Sequence, residues 1–245
     1  MKLHQLIESQ ISILSKSQDV HNLIIVSQGG LGKTTTLLKT LKARGLQEGH
    51  NYYYKTAHFT PLGFFQSLEE TNNLATPKLL ILDDTEGLSN NKIVISFLKS
   101  ATWASYNDER LVCYNSSRKS DNKTLSFKGK MIMLFNEMPS GKIWGQAFID
   151  RSLVLELKPT QQEIFETIRK EILHKPYKNL DYSRRNRVFQ FIVKNSNSTS
   201  IISFRTLIKA FNNIMYCPQH WQELTLQLLG NKSETSQAVK HNQLL

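Results

Sequence analysis

The stretch Ser27-Gln28-Gly29-Gly30-Leu31-Gly32-Lys33-Thr34-Thr35 gathers glycines, a lysine and hydroxyls in the order of a phosphate-binding loop. It matches the pattern G-x-x-x-x-G-K-[ST] except at the first position, where Ser27 stands in place of glycine. In such a loop the backbone N–H groups from Gly29 through Lys33, Leu31 included, wrap the β-phosphate of a nucleoside triphosphate, and the helix that follows points its positive end at the same anion. Lys33 would reach the β- and γ-phosphates as a point charge. The Thr34 hydroxyl is the expected ligand of Mg2+, which prefers oxygen donors and keeps phosphates in its shell. Thr35 is better suited to starting the helix. The bland alternative is a glycine-rich turn that happens to precede a lysine.

A second group of chemically apt residues ends the run Leu79-Leu80-Ile81-Leu82-Asp83-Asp84. A strand closing on two carboxylates places acids at the carboxyl edge of a parallel sheet, beside the phosphate loop. Asp83 would hold Mg2+ through water, and Asp84 is the candidate for orienting or deprotonating an attacking water, with Glu86 as its rival. Paired acids after a strand also cap helices, but after a phosphate loop the catalytic reading is favoured.

These residues need a scaffold, and the hydrophobic pattern supplies one. The run Leu23-Ile24-Ile25-Val26 reads as a buried strand, and residues 34–44 as the helix after the loop. Tyr52–Tyr54, Leu79–Leu82, Leu111–Tyr114 and Met131–Phe135 read as four further strands, separated by helical patterns at 61–70 and 92–103. The expected fold is therefore α/β, a five-stranded parallel sheet flanked by helices, with an amphipathic helix over 3–16 ahead of it. After Pro159 the strand signals stop, and helices are expected at 161–174, 181–195, 203–216 and 218–229, forming a small all-helical lid. The expected boundaries are 1–158 for the nucleotide-binding part, 159–230 for the lid and 231–245 for a polar, frayed tail.

With 245 residues, 40% of them hydrophobic, the chain can bury a sizeable core. No apolar run approaches the roughly 18 residues of a membrane span, and the start resembles no secretory leader, so an intracellular protein is expected, a virus-infected cell included. Cys113 and Cys217 stand apart without metal-ligand spacing and read as reduced thiols. The net charge of +11 favours polyanionic partners. It is densest after residue 158, where Lys175, Lys178, Arg184, Arg185, Arg187 and Lys194 are interrupted by Asp181; a phosphate-facing patch and a solvated helix face are both open readings.

Together the phosphate loop and the double acid resemble those of the AAA+ ATPases, in particular the small ones of phages, plasmids and mobile elements akin to helicase loaders. The likeness covers roughly residues 20 to 215 and includes His58-Phe59-Thr60-Pro61-Leu62-Gly63. It implies that Asn136, at the end of Lys130–Asn136, is a sensor-1 residue that contacts the γ-phosphate or polarises water. It implies that Arg151, within Ala147–Ser152, is an arginine finger projecting into a neighbouring subunit's nucleotide. It implies that Arg205, within Ser203–Leu207, is a sensor-2 arginine reaching the γ-phosphate. Asp84 departs from the glutamate of many AAA+ proteins, although helicase-loader relatives resemble the double-Asp form.

A finger acting across subunits implies a ring or spiral assembled with ATP, a hexamer among the options. The expected activity is Mg2+-dependent ATP hydrolysis by an oligomer that associates with nucleic acid and a replication or transposition protein. The alternative is a nucleotide-dependent protein-binding module with slow or no hydrolysis, motivated by Ser27 and Asp84.

Overall fold

The structure is a computed structural model that describes residues 3–56, 58–84, 88, 91–103, 109–115, 122–140 and 144–230. The chain divides into two compact units, Met1–Gln28 with Lys33–Leu157, and Gly29–Gly32 with Lys158–Leu245.

The first unit is built on a five-stranded parallel sheet. Its opening elements are α1 (Leu3–Lys16), β1 (Asn22–Ser27), α2 (Lys33–Ala43), β2 (Tyr52–Thr56), α3 (Pro61–Asn72), β3 (Leu79–Asp83) and α4 (Lys92–Thr102). They are followed by β4 (Leu111–Tyr114), β5 (Lys123–Ser126), β6 (Lys130–Phe135), α5 (Gln146–Asp150) and β7 (Leu153–Leu157). The strand order is β2-β3-β6-β1-β7. β1 and β3 are buried along their whole length, as parallel strands covered on both faces must be. Successive side chains alternate between the two cores. Leu23, Ile25, Ile81, Ile132 and Leu134 pack with Ile7, Ile11 and Leu14 of α1 and Leu37 and Leu41 of α2, whereas Ile24, Val26, Leu80, Leu82, Met131 and Met133 pack with α3 and α4. The spacing of the α1 residues puts all three on one helical face. Thr60 caps α3 by accepting from the Gly63 N–H, with Pro61 at the first helical position.

Two strand expectations are corrected. Leu111–Tyr114 does not join the parallel sheet; it pairs antiparallel with Lys123–Ser126 in a separate two-stranded ribbon. Only Val112 of β4 is buried, so this strand has one apolar face and suits a ribbon laid on a core rather than the middle of a sheet. The fifth parallel strand is instead Leu153–Leu157, beside β1 at the sheet edge. It buries Leu155 and Leu157 while Val154 and Glu156 face outward, a short alternation typical of an edge.

Three basic groups meet near the start of β1. Arg110 is buried and donates from Nη1 to the Ala101 and Gly129 carbonyls, at 2.9 and 2.7 Å; burial pushes its guanidinium down to about 10. Lys130 Nζ donates to the Leu14 carbonyl at 2.6 Å and to that of Ser17. His21 lies beside both with a buried Nδ1 that has no hydrogen-bond partner. Burial, reinforced by Arg110 and then Lys130, pushes its imidazole down to about 4.

The second unit is helical. α6 (Gln161–Thr167) starts on a capping box in which Thr160 and Glu163 satisfy each other's backbone N–H, and it continues into a π-helical turn, Ile168–Ile172. α7 (Tyr182–Asn195), α8 (Phe204–Tyr216) and α9 (Trp221–Leu228) follow, capped by Asp181 and Ser203 at the first two. The last helix starts three residues later than the sequence suggests, because Cys217 to His220 form a turn. Phe189 and Phe211 are fully buried at its centre. The tail from Asn231 lies outside the described residues.

Candidate functional site

Parallel pairing brings the ends of β1, β3 and β6 to one edge. Val26 is in register with Phe135, and Asp83 with Leu134, so Ser27, Asp83 and Asn136 are neighbours there. α2 starts at this edge with Lys33. Lys33 is 7% exposed, and its ammonium donates to the Ser27 carbonyl at 3.2 Å and to Asn136 Oδ1 at 2.7 Å. Ser27 contributes a backbone carbonyl to this contact, and its φ lies outside the left-handed region, so its backbone does not require glycine.

The neighbouring acid is held as firmly. Asp83 is 5% exposed; its Oδ2 accepts from the Thr34 hydroxyl and from the Tyr54 hydroxyl, each at 2.7 Å, and its Oδ1 accepts from the Asp84 N–H at 3.0 Å. Burial, then donation to Asp83 and the charge of that carboxylate, raise the Tyr54 phenol well above its ordinary value. Asp84 is exposed and has a φ of 51°, a left-handed conformation that Asp tolerates better than most residues at a cost on the order of 1 kcal/mol. Glu86 lies outside the described residues.

A hydroxyl and a carboxylate side by side form a donor set of oxygens that suits a hard cation such as Mg2+. The Thr34 hydroxyl donates its proton to Asp83 and keeps its lone pairs for such an ion. Among the described residues no group of three or more His, Cys, Asp or Glu side chains forms an all-protein metal cage. Mg2+ held partly by phosphates needs none. Thr35 is exposed in the first turn of α2.

The loop tip, Gly29–Gly32, belongs to the second unit. There the Phe204 N–H donates to the Gly30 carbonyl at 3.0 Å. Gly30 and Gly32 have φ of 82° and 80°, where a side chain is strained. A Cβ on Gly30 would also come within 3.0 Å of Ser203 Oγ and 3.1 Å of Arg205 Cγ, and one on Gly32 within 3.2 Å of the Phe204 ring. Gly29 is half-buried, Leu31 is buried, and the exposed Arg205 stands beside Gly30.

Arg151 is not part of the Lys33–Asp83 cluster. It follows α5, and its guanidinium lies 3.9 Å from the centre of the Trp103 ring at the end of α4, beside a cleft of about 300 Å³ lined also by Lys99, Glu109 and Leu111. In the basic stretch, Lys175, Lys178, Arg184, Arg187 and Lys194 are exposed. Arg185 is a correction to the expected patch: it is buried, and its Nε donates to the Asp181 carbonyl at 3.3 Å. Its place on the inner face of α7, beside Val188 and Phe189, turns it inward. Tyr54 and Trp103 are the residues that sequence reasoning missed. Tyr54 lay in an apolar strand signal, and its neighbour in β3 is fixed by strand pairing, which no local pattern encodes.

No protein-family description matches the chain, and no curated protein sequence does. Solved structures do. Domain III of the replication initiation protein DnaA from Thermotoga maritima superposes with a TM-score of 0.52 at 16% identity, covering 93% of this chain and 90% of that one. The Holliday junction branch migration motor RuvB from Thermotoga maritima gives 0.53 at 15% identity, covering 94% and 71%. A replication initiator DnaA bound to AMPPCP and single-stranded DNA gives 0.52 at 14% identity, covering 92% and 64%. With its five-stranded parallel sheet, flanking helices and helical second unit, this chain has the fold of the AAA+ P-loop ATPases.

Proposed function

We propose that the protein is a Mg2+-dependent ATP hydrolase of AAA+ type that assembles with ATP and acts on DNA, in replication or transposition of a viral or mobile element. The observation that carries this reading is the double pairing at the sheet edge, Lys33 with Asn136 and Thr34 with Asp83.

In this reading the N–H groups of the loop and the start of α2 bind the β-phosphate, and Lys33 turns its ammonium to the β- and γ-phosphates. Asn136, already within hydrogen-bond reach of that ammonium, orients water or meets the terminal phosphate. When bound, Mg2+ supplies charge that offsets the negative phosphates. Thr34 and Asp83 would hold it, Asp83 through water. Asp84 orients the attacking water, its left-handed backbone setting the direction of the carboxylate; Glu86 is the alternative for this role. Arg205, beside Gly30 within the second unit, is the candidate that the resemblance assigns to the γ-phosphate. Arg151 serves a neighbouring subunit, which makes a ring or spiral, a hexamer among the options, part of the activity.

A DNA partner is supported by the net charge of +11, by the exposed cations of residues 175–194, and by the kind of proteins that share the fold, a replication initiator with single-stranded DNA and a branch migration motor. The helicase-loader role and the partner protein rest on the sequence resemblance alone. The exposed, strained Asp84 with its short side chain favours a second reading, a nucleotide-dependent binding module with slow hydrolysis.

The test is ATP turnover with and without DNA beside an Asp84→Ala variant, together with the particle mass under each condition. Turnover that falls on the order of a hundredfold or more in the variant supports the hydrolase. No turnover under any condition favours the module, and a monomer under every condition sinks the assembly reading.

A further inference from the structure

Asp83 has one side-chain donor that the proposed nucleotide chemistry does not use, the hydroxyl of Tyr54. β2 and β3 pair in the register Tyr54↔Ile81 and Thr56↔Asp83, so Tyr54 lies two residues short of Asp83 along the sheet and on the same face. Its aromatic ring is packed against the core that contains Leu79, Ile81 and Leu37, which fixes where the hydroxyl ends. A phenylalanine would fill the same space. The hydroxyl is thus surplus to packing, and it reaches the same carboxylate oxygen that Thr34 contacts, at the same distance of 2.7 Å.

We infer that Tyr54 is a positioning residue for the metal-facing carboxylate: its hydroxyl holds Asp83 in place beside Thr34, so that Thr34 keeps donating its proton to Asp83 while its lone pairs face a divalent cation. The inference rests on the proposed reading of Thr34 and Asp83 as the Mg2+-facing pair. The logic is one of donor number. Asp83 is buried and needs its charge satisfied. With Thr34 as its only side-chain donor the carboxylate would be free to turn about that single bond; with Tyr54 in place Oδ2 is held by two donors and Oδ1 by the Asp84 N–H, which fixes its orientation. Tyr54 donates to the carboxylate, so its loss is expected to be felt through the metal rather than through the nucleotide.

The experiment is equilibrium binding of a fluorescent ATP analogue to the full chain in Mg2+ and in EDTA, for the native protein, Tyr54→Phe and Asp83→Asn, with the midpoint of thermal unfolding recorded for each. Tyr54→Phe is expected to weaken binding in Mg2+ about tenfold, to raise the Mg2+ concentration needed for half-maximal binding, to leave the EDTA affinity unchanged, and to lower the melting midpoint by no more than a few degrees. Native affinity of Tyr54→Phe in Mg2+, or an equal loss in both media, would overturn the assignment. Asp83→Asn separates the two layers. If it abolishes the Mg2+ dependence while Tyr54→Phe does not alter it, only Tyr54 is wrong; if Asp83→Asn leaves that dependence intact, the metal reading of Asp83 fails and this inference falls with it.

Discussion

Lys33 Nζ and Asn136 Oδ1 lie 2.7 Å apart across 103 residues of sequence, an ammonium from the first turn of α2 meeting an amide from just beyond β6. The amide is a neutral acceptor, so it holds the ammonium without cancelling its charge. Asn136→Ala is expected to lower turnover by about a hundredfold while changing ATP affinity only a few-fold, because the lost group acts on the developing charge. Asn136→Asp should do the reverse, neutralising Lys33 in an ion pair and weakening ATP binding more than the alanine change does. Paired Kd and kcat measurements on the two variants check this; equal effects on both quantities would remove Asn136 from the chemistry.

Gly30 and Gly32 are expected to resist any side chain. Their left-handed backbone costs a non-glycine residue about 1–2 kcal/mol, and at Gly30 the close approach of Ser203 adds to it. Gly30→Ala should therefore lower the melting midpoint and weaken ATP binding together. Gly45 offers the control: its φ is 76° but a Cβ there meets nothing within 4 Å, so Gly45→Ala should cost the backbone strain and leave ATP affinity as it was.

Arg151, if it serves a neighbour's nucleotide, should be replaceable by an arginine on another copy. Arg151→Ala and Lys33→Ala are each expected to be inactive alone, and an equal mixture should recover part of the native turnover, because some interfaces then combine an intact loop with an intact Arg151. A mixture as inactive as its components would place Arg151 elsewhere. Trp103→Ala removes the ring against which this guanidinium lies, an exposed cation–π contact of roughly 0.5–1 kcal/mol, and should leave ATP affinity unchanged.

His21 gives the fold an acid limit. Its folded imidazole titrates at about 4 against 6.5 for the free group, so between those values the unfolded chain binds the proton that the folded chain refuses. Stability from this site is full above the free value and falls as pH drops through 6.5 toward 4. His21→Gln cannot take up a proton. Urea unfolding near pH 7 and near pH 5 should show a smaller loss for the variant than for the native chain.

Much of this was legible because the signals were local. An apolar run that ends in two acids, Leu79 to Asp84, announces a strand and places a carboxylate at its end, and the loop before Thr34 announces a helix start. Pairing is not local. Leu111–Tyr114 and Leu79–Leu82 carry the same apolar strand signal, yet one lies in a two-stranded ribbon and the other in the parallel sheet. Leu153–Leu157 was hidden for the opposite reason, since an edge strand buries only alternate residues and Glu156 interrupts its run. Arg185 could be counted among the exposed cations until the phase of α7 turned it inward. Tyr54 depends on all of these at once: a strand, a register, and a partner on the adjacent strand.

Ser27 gives the last consequence. The loop uses the carbonyl of this residue and asks nothing unusual of its φ, so the backbone tolerates a side chain there, one small enough for a buried position. The first glycine of the familiar pattern is then a spelling convention at this position, while Gly30 and Gly32 are grammar. In this chain the strand-end carbonyl, not the residue type, is what meets the lysine.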